Sequence, residues 1–393
     1  MSYRGHKVVD MDSHIREYWD LDRTYKEFIE PQYREKYEKF SAAARANQRR
    51  PGDTGVDILW SFPPRRPLGV YDAWEVERPR ASDAEGARSR SMTQRGKEID
   101  PACHWDAGVR LSHMDTAQID TAVMFPSQSD GFCEIRDVGF EHALHFAYHR
   151  YMNVFCSESG GRLRWVADAT MRDMAANITD LEYWAERDEN FVGTFISRMF
   201  PDGRMLDHPD LHPLLAASQE LDLPIWIHGE SGRPPFTPGH YGTDGVAFSR
   251  AVLQGWGGMT AVLAMIGGGV FDRFPNLRVC FVENDAGWMP WFMQALDQSY
   301  PPGGAQTPYM KRKPSEIVRS GQVQVGIFPD EVGLGLCVEA LGEDCWLFTT
   351  DYPHGGSVWP DGVPMIAERT DMSESAKIKM LGDNALKFCP RLA

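Results

Sequence analysis

Short runs rich in apolar, β-branched and aromatic residues recur along this chain, separated by stretches with helical spacing. The runs are Lys7–Asp12, Thr121–Pro126, Leu163–Asp168, Val192–Ser197, Pro224–His228, Arg278–Glu283, Val323–Phe328 and Cys345–Thr350. They alternate little between apolar and polar, as expected of strands covered by helices on one face and by a packed interior on the other. Helical patterns lie between them at Asp115–Gln118, Glu141–Phe155, Met174–Glu186 and Leu211–Leu221, with another at Ser373–Phe388. Strands alternating with helices predict an α/β fold, a (β/α)8 TIM-like barrel closed on itself. Alternation alone leaves an open doubly wound sheet as the alternative.

One region breaks the rhythm. From Phe40 to His113 the chain carries Arg49–Pro51, Pro63–Pro67 and a charged stretch from Glu75 to Lys97. This is expected to be a long insertion after strand 1, within a single barrel domain spanning residues 1–393. Its Trp60, Phe62, Tyr71 and Trp74, set among arginines, predict an arm at a protein interface, in a homo-oligomer or with a related chain.

Composition narrows the functional classes. The chain has 393 residues, 42% hydrophobic and 25% charged, enough apolar material for a large core. A net charge of −15 without a basic block argues against nucleic-acid or anionic-membrane partners and favours a small-molecule substrate. No apolar run is long enough to span a bilayer, and the first residues lack the apolar stretch of a signal peptide, so a cytoplasmic protein is expected. The 7 cysteines are scattered and never spaced C-x-x-C, which indicates neither a disulfide framework nor a thiolate zinc site.

The candidate chemistry sits at strand ends. The first strand finishes in Asp10-Met-Asp12-Ser-His14, with Glu17 close behind. Residues two apart in a strand face one side, so Asp12 and His14 can both point into the barrel mouth. Taken alone, the pattern also suits loop capping. His228, Glu283 and Asp351 end other strands, and such residues at the C-terminal face of a barrel point to catalysis or metal binding.

These residues, together with the Ile-His-Gly after strand 5, the Gly268–Trp291 block GGVFDRFPNLRVCFVENDAGWMPW and the Thr350–His354 block TDYPH, resemble the amidohydrolase superfamily. The similarity lies with its amidohydrolase-related branch, which includes aminocarboxymuconate semialdehyde, resorcylate and carboxyvanillate decarboxylases. It spans roughly residues 6–30 and 110–390 and leaves the insertion unmatched. The resemblance implies a mononuclear site built from Asp12, His14, His228 and Asp351. Where the family often has a helpful histidine after strand 6, this chain has Glu283 or Asn284.

Adding Glu17 and Glu283 gives a set of histidines and carboxylates with the balance of a dinuclear iron or manganese site. That set resembles a small group of dinuclear non-haem hydroxylases in the superfamily, similar to 2-aminoisobutyrate hydroxylase. The leading expectation is therefore a monooxygenase with two Fe or Mn ions per chain, using O2 to hydroxylate a small organic substrate. The alternative is a one-metal decarboxylase or hydrolase, with Zn or Mn as a Lewis acid; a catalytically quiet partner subunit is a third reading, against which the intact ligand row speaks. His142, His145 and His149 share a helical face, and His149 is the candidate among them for an extra ligand. Asp351, His354 and Glu283 are the candidates for proton handling.

Overall fold

A computed structural model describes residues 2–46, 93–127, 129–228, 246–300, 307–354 and 356–393. Eight parallel strands form the expected barrel: β1 (Val9–Ile15), β2 (Thr121–Pro126), β3 (Leu163–Asp168), β4 (Phe191–Ile196), β5 (Ile225–His228), β6 (Val279–Val282), β7 (Val323–Ile327) and β8 (Trp346–Phe348). They pair in sequence order from β1 to β8. The seam between β8 and β1 is joined just past β8, where Asp351 N donates to Asp12 O at 3.0 Å and His14 N to Tyr352 O at 2.7 Å.

The strands divide their apolar side chains between two cores, except β7, whose Val323, Val325 and Ile327 all face the outer one. Val9, Met11, Val123, Phe125, Val166, Phe195, Trp226, Cys280, Val282 and Leu347 fill the barrel interior. Phe388 and Leu392, from the C-terminal segment, join that cluster, with the Phe388 ring 5.5 Å from Trp226. The alternate residues, among them Ile15, Met124, Trp165, Ile225, Ile227, Phe281 and Trp346, pack outward under the helices. Burial on both faces explains why the strands show so little polar alternation.

Among the helices, α1 (Arg34–Ala46) follows β1, α2 (Ala107–Thr116) precedes β2, α3 (Val138–Ser157) precedes β3 and α4 (Met174–Arg187) precedes β4. Aspartate side chains set three of these starts: Asp106, Asp137 and Asp173 each accept from a backbone amide in the first turn of α2, α3 and α4. A long α6 (Val246–Gly267), reached after α5 (His212–Glu220), is absent from the expectations of the sequence. No helix among the described residues is long and apolar enough to cross a membrane.

The expected insertion divides. Its aromatic residues Trp60, Phe62, Tyr71 and Trp74 lie outside the described residues. Its C-terminal part is built into the barrel, because α2 is the outer helix that leads into β2. The fully buried Arg110 on α2 donates to Ser13 Oγ at 3.3 Å and to the carbonyl of His14, and lies 4.9 Å from the centre of the Tyr352 ring. It braces the seam that joins β8 to β1.

Candidate metal centre

The first strand changes register against β2 between Asp10 and Ser13. Val9 before this irregularity and Met11 within it face the barrel interior, and Ile15 beyond it packs outward. Asp12 and His14 thus converge at the mouth, with His14 Nε2 3.0 Å from Asp12 Oδ1. His228, the last residue of β5, brings its Nε2 to 3.2 Å from His14 Nε2 and 3.3 Å from Asp12 Oδ1. Asp351 Oδ1 lies 3.4 Å from His14 Nε2. A floor of aromatic rings supports the imidazoles, with Phe125 at 5.2 Å and Phe195 at 5.4 Å from His228.

Side-chain packing gives no reason for nitrogen and oxygen ligand atoms to crowd in this way. Asp12, His14 and His228 form one group whose ligand atoms lie within 4.8 Å of one another, and His14, Asp351 and His354 form a second. Among the described residues, buried Asp12 Oδ2 has no hydrogen-bond partner, a costly state unless something binds there. His14 Nδ1 pairs with the Pro126 carbonyl at 2.8 Å, which puts the proton on Nδ1 and leaves the Nε2 lone pair pointing into the cluster. These residues fit a divalent ion with mixed imidazole and carboxylate ligands.

Electrostatics agrees. Burial opposes the charge of Asp12, but the neighbouring His228 and His14 outweigh it and hold its carboxyl well below the usual range. Burial likewise opposes the charge on His228, yet Asp12 and Glu283 push its pKa up to about 9. Below them Asp10, pushed up to about 8 by burial, accepts from Thr350 N at 2.9 Å and Thr350 Oγ1 at 2.6 Å. It ties β1 to the end of β8.

Two carboxylates stand on strained backbone: φ is 53° at Asp351 and 54° at Glu283. Non-glycine residues held in this region are found where a tight turn aims a side chain. At Asp351 the turn directs Oδ1 to His354 Nδ1, 2.6 Å away. The His354 ring stacks on His14 at 4.1 Å, and its Nε2 meets Ser127 Oγ at 2.9 Å. Glu283 faces the other side of His228, with Oε2 3.6 Å from Nδ1 and Oε1 accepting from Gln254 Nε2 at 2.9 Å.

The remaining candidates lie elsewhere. Both oxygens of Glu17 face the Ser127 amide, at 2.9 and 3.2 Å, and Glu17 is in neither ligand group. His149 is buried behind β3, its Nε2 3.1 Å from the Asp168 carbonyl and its Nδ1 3.6 Å from Asp180. Burial drives its pKa down to about 3. Ser127, Arg110 and Arg198 are residues the sequence reading passed over, and Asp10 stands in its strand-1 motif without a role. Arg198, buried just past β4, donates to the Glu283 carbonyl at 3.2 Å.

Comparison with known proteins fits this architecture. The chain is 26% identical over 307 residues to the 2-amino-3-carboxymuconate-6-semialdehyde decarboxylase of Dictyostelium discoideum, covering 74% of this chain and 78% of that protein. It is 25% identical over 240 residues to the gamma-resorcylate decarboxylase of Polaromonas sp., covering 57% of this chain and 69% of the relative. The 5-carboxyvanillate decarboxylase of Novosphingobium aromaticivorans, solved with manganese and 4-hydroxy-3-methoxy-5-nitrobenzoic acid, superposes with a TM-score of 0.68 at 20% identity, over 98% of this chain and 96% of that one. It shares the fold.

These findings overturn the expectation of a monooxygenase, since the curated relatives are decarboxylases. The geometry gives the physical reason the sequence misled. Six ligand-type residues near strand ends suggested two metals and O2, but Glu17 is turned to the Ser127 amide and Glu283 to Gln254 and the outer nitrogen of His228. With a family model described as amidohydrolase matching residues 99–391, this chain belongs to the amidohydrolase family.

Proposed function

We propose that the chain is a metal-dependent decarboxylase of a small carboxylic acid, with one divalent ion held by Asp12, His14, His228 and Asp351. The observation behind this reading is the convergence of those ligand atoms at the barrel mouth in a chain whose curated relatives are decarboxylases. Manganese is the favoured ion, because a decarboxylase of the same fold holds it. When bound, a divalent ion supplies Lewis acidity toward substrate oxygens.

Decarboxylation consumes one proton. The substrate carbon accepts H+, the C–C bond to the carboxylate breaks, its electron pair stays with the carbon skeleton, and CO2 leaves. No oxidant is required. The Asp351–His354 pair holds a proton on the 2.6 Å line between Oδ1 and Nδ1, beside the His14 ring. Ser127 orients His354 from the opposite nitrogen. Glu283 and Gln254 fix His228 from outside, in place of the histidine that often follows strand 6 in the family. Arg198 adds a positive charge beside Glu283, which suits an anionic substrate. Phe125 and Phe195 give the site an apolar wall beside His228, which suits the exclusion of water during the reaction.

The test is anaerobic turnover of a panel of small aromatic and unsaturated carboxylic acids by manganese-loaded protein, with release of CO2 and metal content measured together. CO2 formation without O2 at one metal per chain is the expected result. A panel that yields no CO2 while the protein is fully loaded would sink the reading.

A further inference from the structure

The turn after β6 is built against the preferences of its own backbone. Glu283 and Asp285 are non-glycine residues in the left-handed region, with φ of 54° and 53°. Residues so placed persist only where surrounding contacts over-determine the turn. Its carbonyls are braced from nearby: Trp288 Nε1 donates to the Asn284 carbonyl at 2.7 Å, Arg198 to that of Glu283 at 3.2 Å and Cys337 Sγ to that of Ala286 at 3.4 Å. The amides of Ala286 and Gly287 both go to one side chain from another loop, Glu331, which stands just past β7.

Glu331 Oε2 accepts from Ala286 N at 2.7 Å and from Gly287 N at 3.0 Å, while Oε1 accepts from Phe328 N of its own loop at 2.9 Å. One carboxylate thus joins the turn after β6 to the turn after β7. The base of this clamp is itself anchored. Arg369 donates to the carbonyls of Pro329 and Glu331 at 3.2 and 2.9 Å, and Asp330 Oδ2 lies 3.6 Å from Arg95 Nη2.

The clamped turn carries Glu283, whose Oε2 lies 3.6 Å from the outer nitrogen of His228 and whose Oε1 is held by Gln254. A group facing the outer nitrogen of a metal-binding imidazole fixes the orientation and tautomer of the ring, and its loss typically weakens metal binding by about 10- to 100-fold. A shift of the turn would move Glu283 away from His228.

We propose that Glu331 is a positioning residue of the metal centre, acting through the Ala286–Gly287 turn to hold Glu283 against His228 and so tightening metal binding from outside the ligand set. The inference rests on the metal centre of the decarboxylase reading and not on which acid is decarboxylated.

The clamp depends on charge. Burial pushes the Glu331 carboxyl up to about 7 even though its amide bonds favour the charged form, and Asp285 adds to the rise. Among the described residues around it, Arg369 pairs with Asp371 Oδ2 at 2.6 Å and Asp330 with Arg95, while the Cys337 thiol is pushed up to about 12 by burial and by Glu331 itself. A protonated Glu331 keeps one carbonyl oxygen for three amides, so the clamp loosens as pH falls through about 7.

The experiment is a double-mutant cycle on full-length protein, with the Mn2+ dissociation constant measured by calorimetry. Glu331→Gln, which replaces an accepting oxygen with an N–H donor, should weaken Mn2+ binding about tenfold, and Glu283→Gln by at least as much. The double variant should bind no more weakly than Glu283→Gln alone, because Glu331 acts through Glu283. The advantage of the wild type over Glu331→Gln should also disappear as pH falls through about 7. A merely structural Glu331 would lower the urea midpoint and leave Mn2+ binding unchanged, or its loss would add in full to that of Glu283→Gln at every pH; either result overturns the proposal. Should Glu331→Gln not fold, Glu331→Asp, charged but one methylene short of spanning the two loops, enters the same cycle with the same expected loss. The two readings fail separately: a wild type that binds no Mn2+ removes the metal centre and the proposal with it, while Mn2+ bound equally by the wild type and the Glu331 variants removes the positioning role and keeps the decarboxylase.

Discussion

Two buried clusters of histidine and carboxylate lie on either side of β2 and β3, and they are built on opposite principles. At the mouth, the ligand atoms of Asp12, His14, His228 and Asp351 crowd toward one point, and Asp12 Oδ2 has no partner among the described residues. Behind β3, His145 faces Asp168 at 2.8 Å, Glu141 is bound by Arg172 and by Thr170 Oγ1, and His142 faces Asp180 at 2.9 Å. The first arrangement calls for a metal; the second is compensated mainly by its own ion pairs. Residue type does not separate them. Convergence does, because a metal needs several lone pairs aimed at one spot, while an ion pair needs only one neighbour of opposite charge.

The largest effect should come from breaking the convergence. His14→Ala and His228→Ala are each expected to weaken metal binding by more than about a hundredfold, beyond the usual loss from removing a supporting partner, and to abolish turnover. Circular dichroism should stay close to wild type, since neither residue belongs to a packed core layer. His149→Ala serves as the contrasting change and should leave metal content intact. A protein stripped of metal by His149→Ala but not by His14→Ala would reverse the roles assigned to the two clusters.

Next in size is the proton-holding pair. His354→Gln should lower kcat by about 10²- to 10⁴-fold, the usual worth of a positioned acid–base group, while metal analysis still returns one ion per chain. Loss of metal in this variant would recast His354 as a ligand, which its place in the second ligand group makes a fair challenge.

The cluster behind β3 is tested through stability. His145→Gln removes the cation between Asp168 and Glu141 and should cost about 3–5 kcal/mol in urea unfolding, typical of a broken buried ion pair. The pH dependence has a definite sign. In the fold the His145 pKa is raised from 6.5 to about 10, so its contribution is fully present below 6.5 and is lost as pH rises through 10. Wild-type stability should therefore decline across that window and the variant should show a flatter profile; parallel profiles would mean that His145 is neutral in the fold.

The smallest effect expected is from Ser127→Ala. The serine touches His354 and not the metal ligands, so a fall of about tenfold in kcat with unchanged metal affinity is expected, at the low end for supporting partners. Partial recovery in Ser127→Thr would show that the hydroxyl acts by orientation.

The strand pattern was legible in the chain because burial on both faces leaves long apolar runs with few competing readings. Thr121–Pro126 and Leu163–Asp168 are strands with the expected limits. The ligand-type residues were legible too, because charged and imidazole groups at strand ends stand out against apolar neighbours. Helix α6 was missed: its Gly255, Gly257 and Gly258 weaken the helical signal. At Gly258 the structure supplies a reason for glycine, since a Cβ would lie 2.9 Å from the Asn284 side chain, so the helix can sit against the end of β6 only without one.

What the sequence by itself determined, then, was the barrel, the family resemblance and the roster of polar residues at its mouth. Which of those residues share one point was decided in three dimensions. Glu17 and Glu283 have the same chemistry as Asp12 and Asp351, and all four follow strands or end near them. Their carboxylates point to different places because the backbone turn and a donor from elsewhere in the chain, the Ser127 amide for Glu17 and Gln254 for Glu283, set where the oxygens lie. Those donors are more than 100 residues from Glu17 and 29 from Glu283 along the chain. No local pattern records such a contact, because spacing along a strand fixes which face a side chain leaves from and not which distant group captures it.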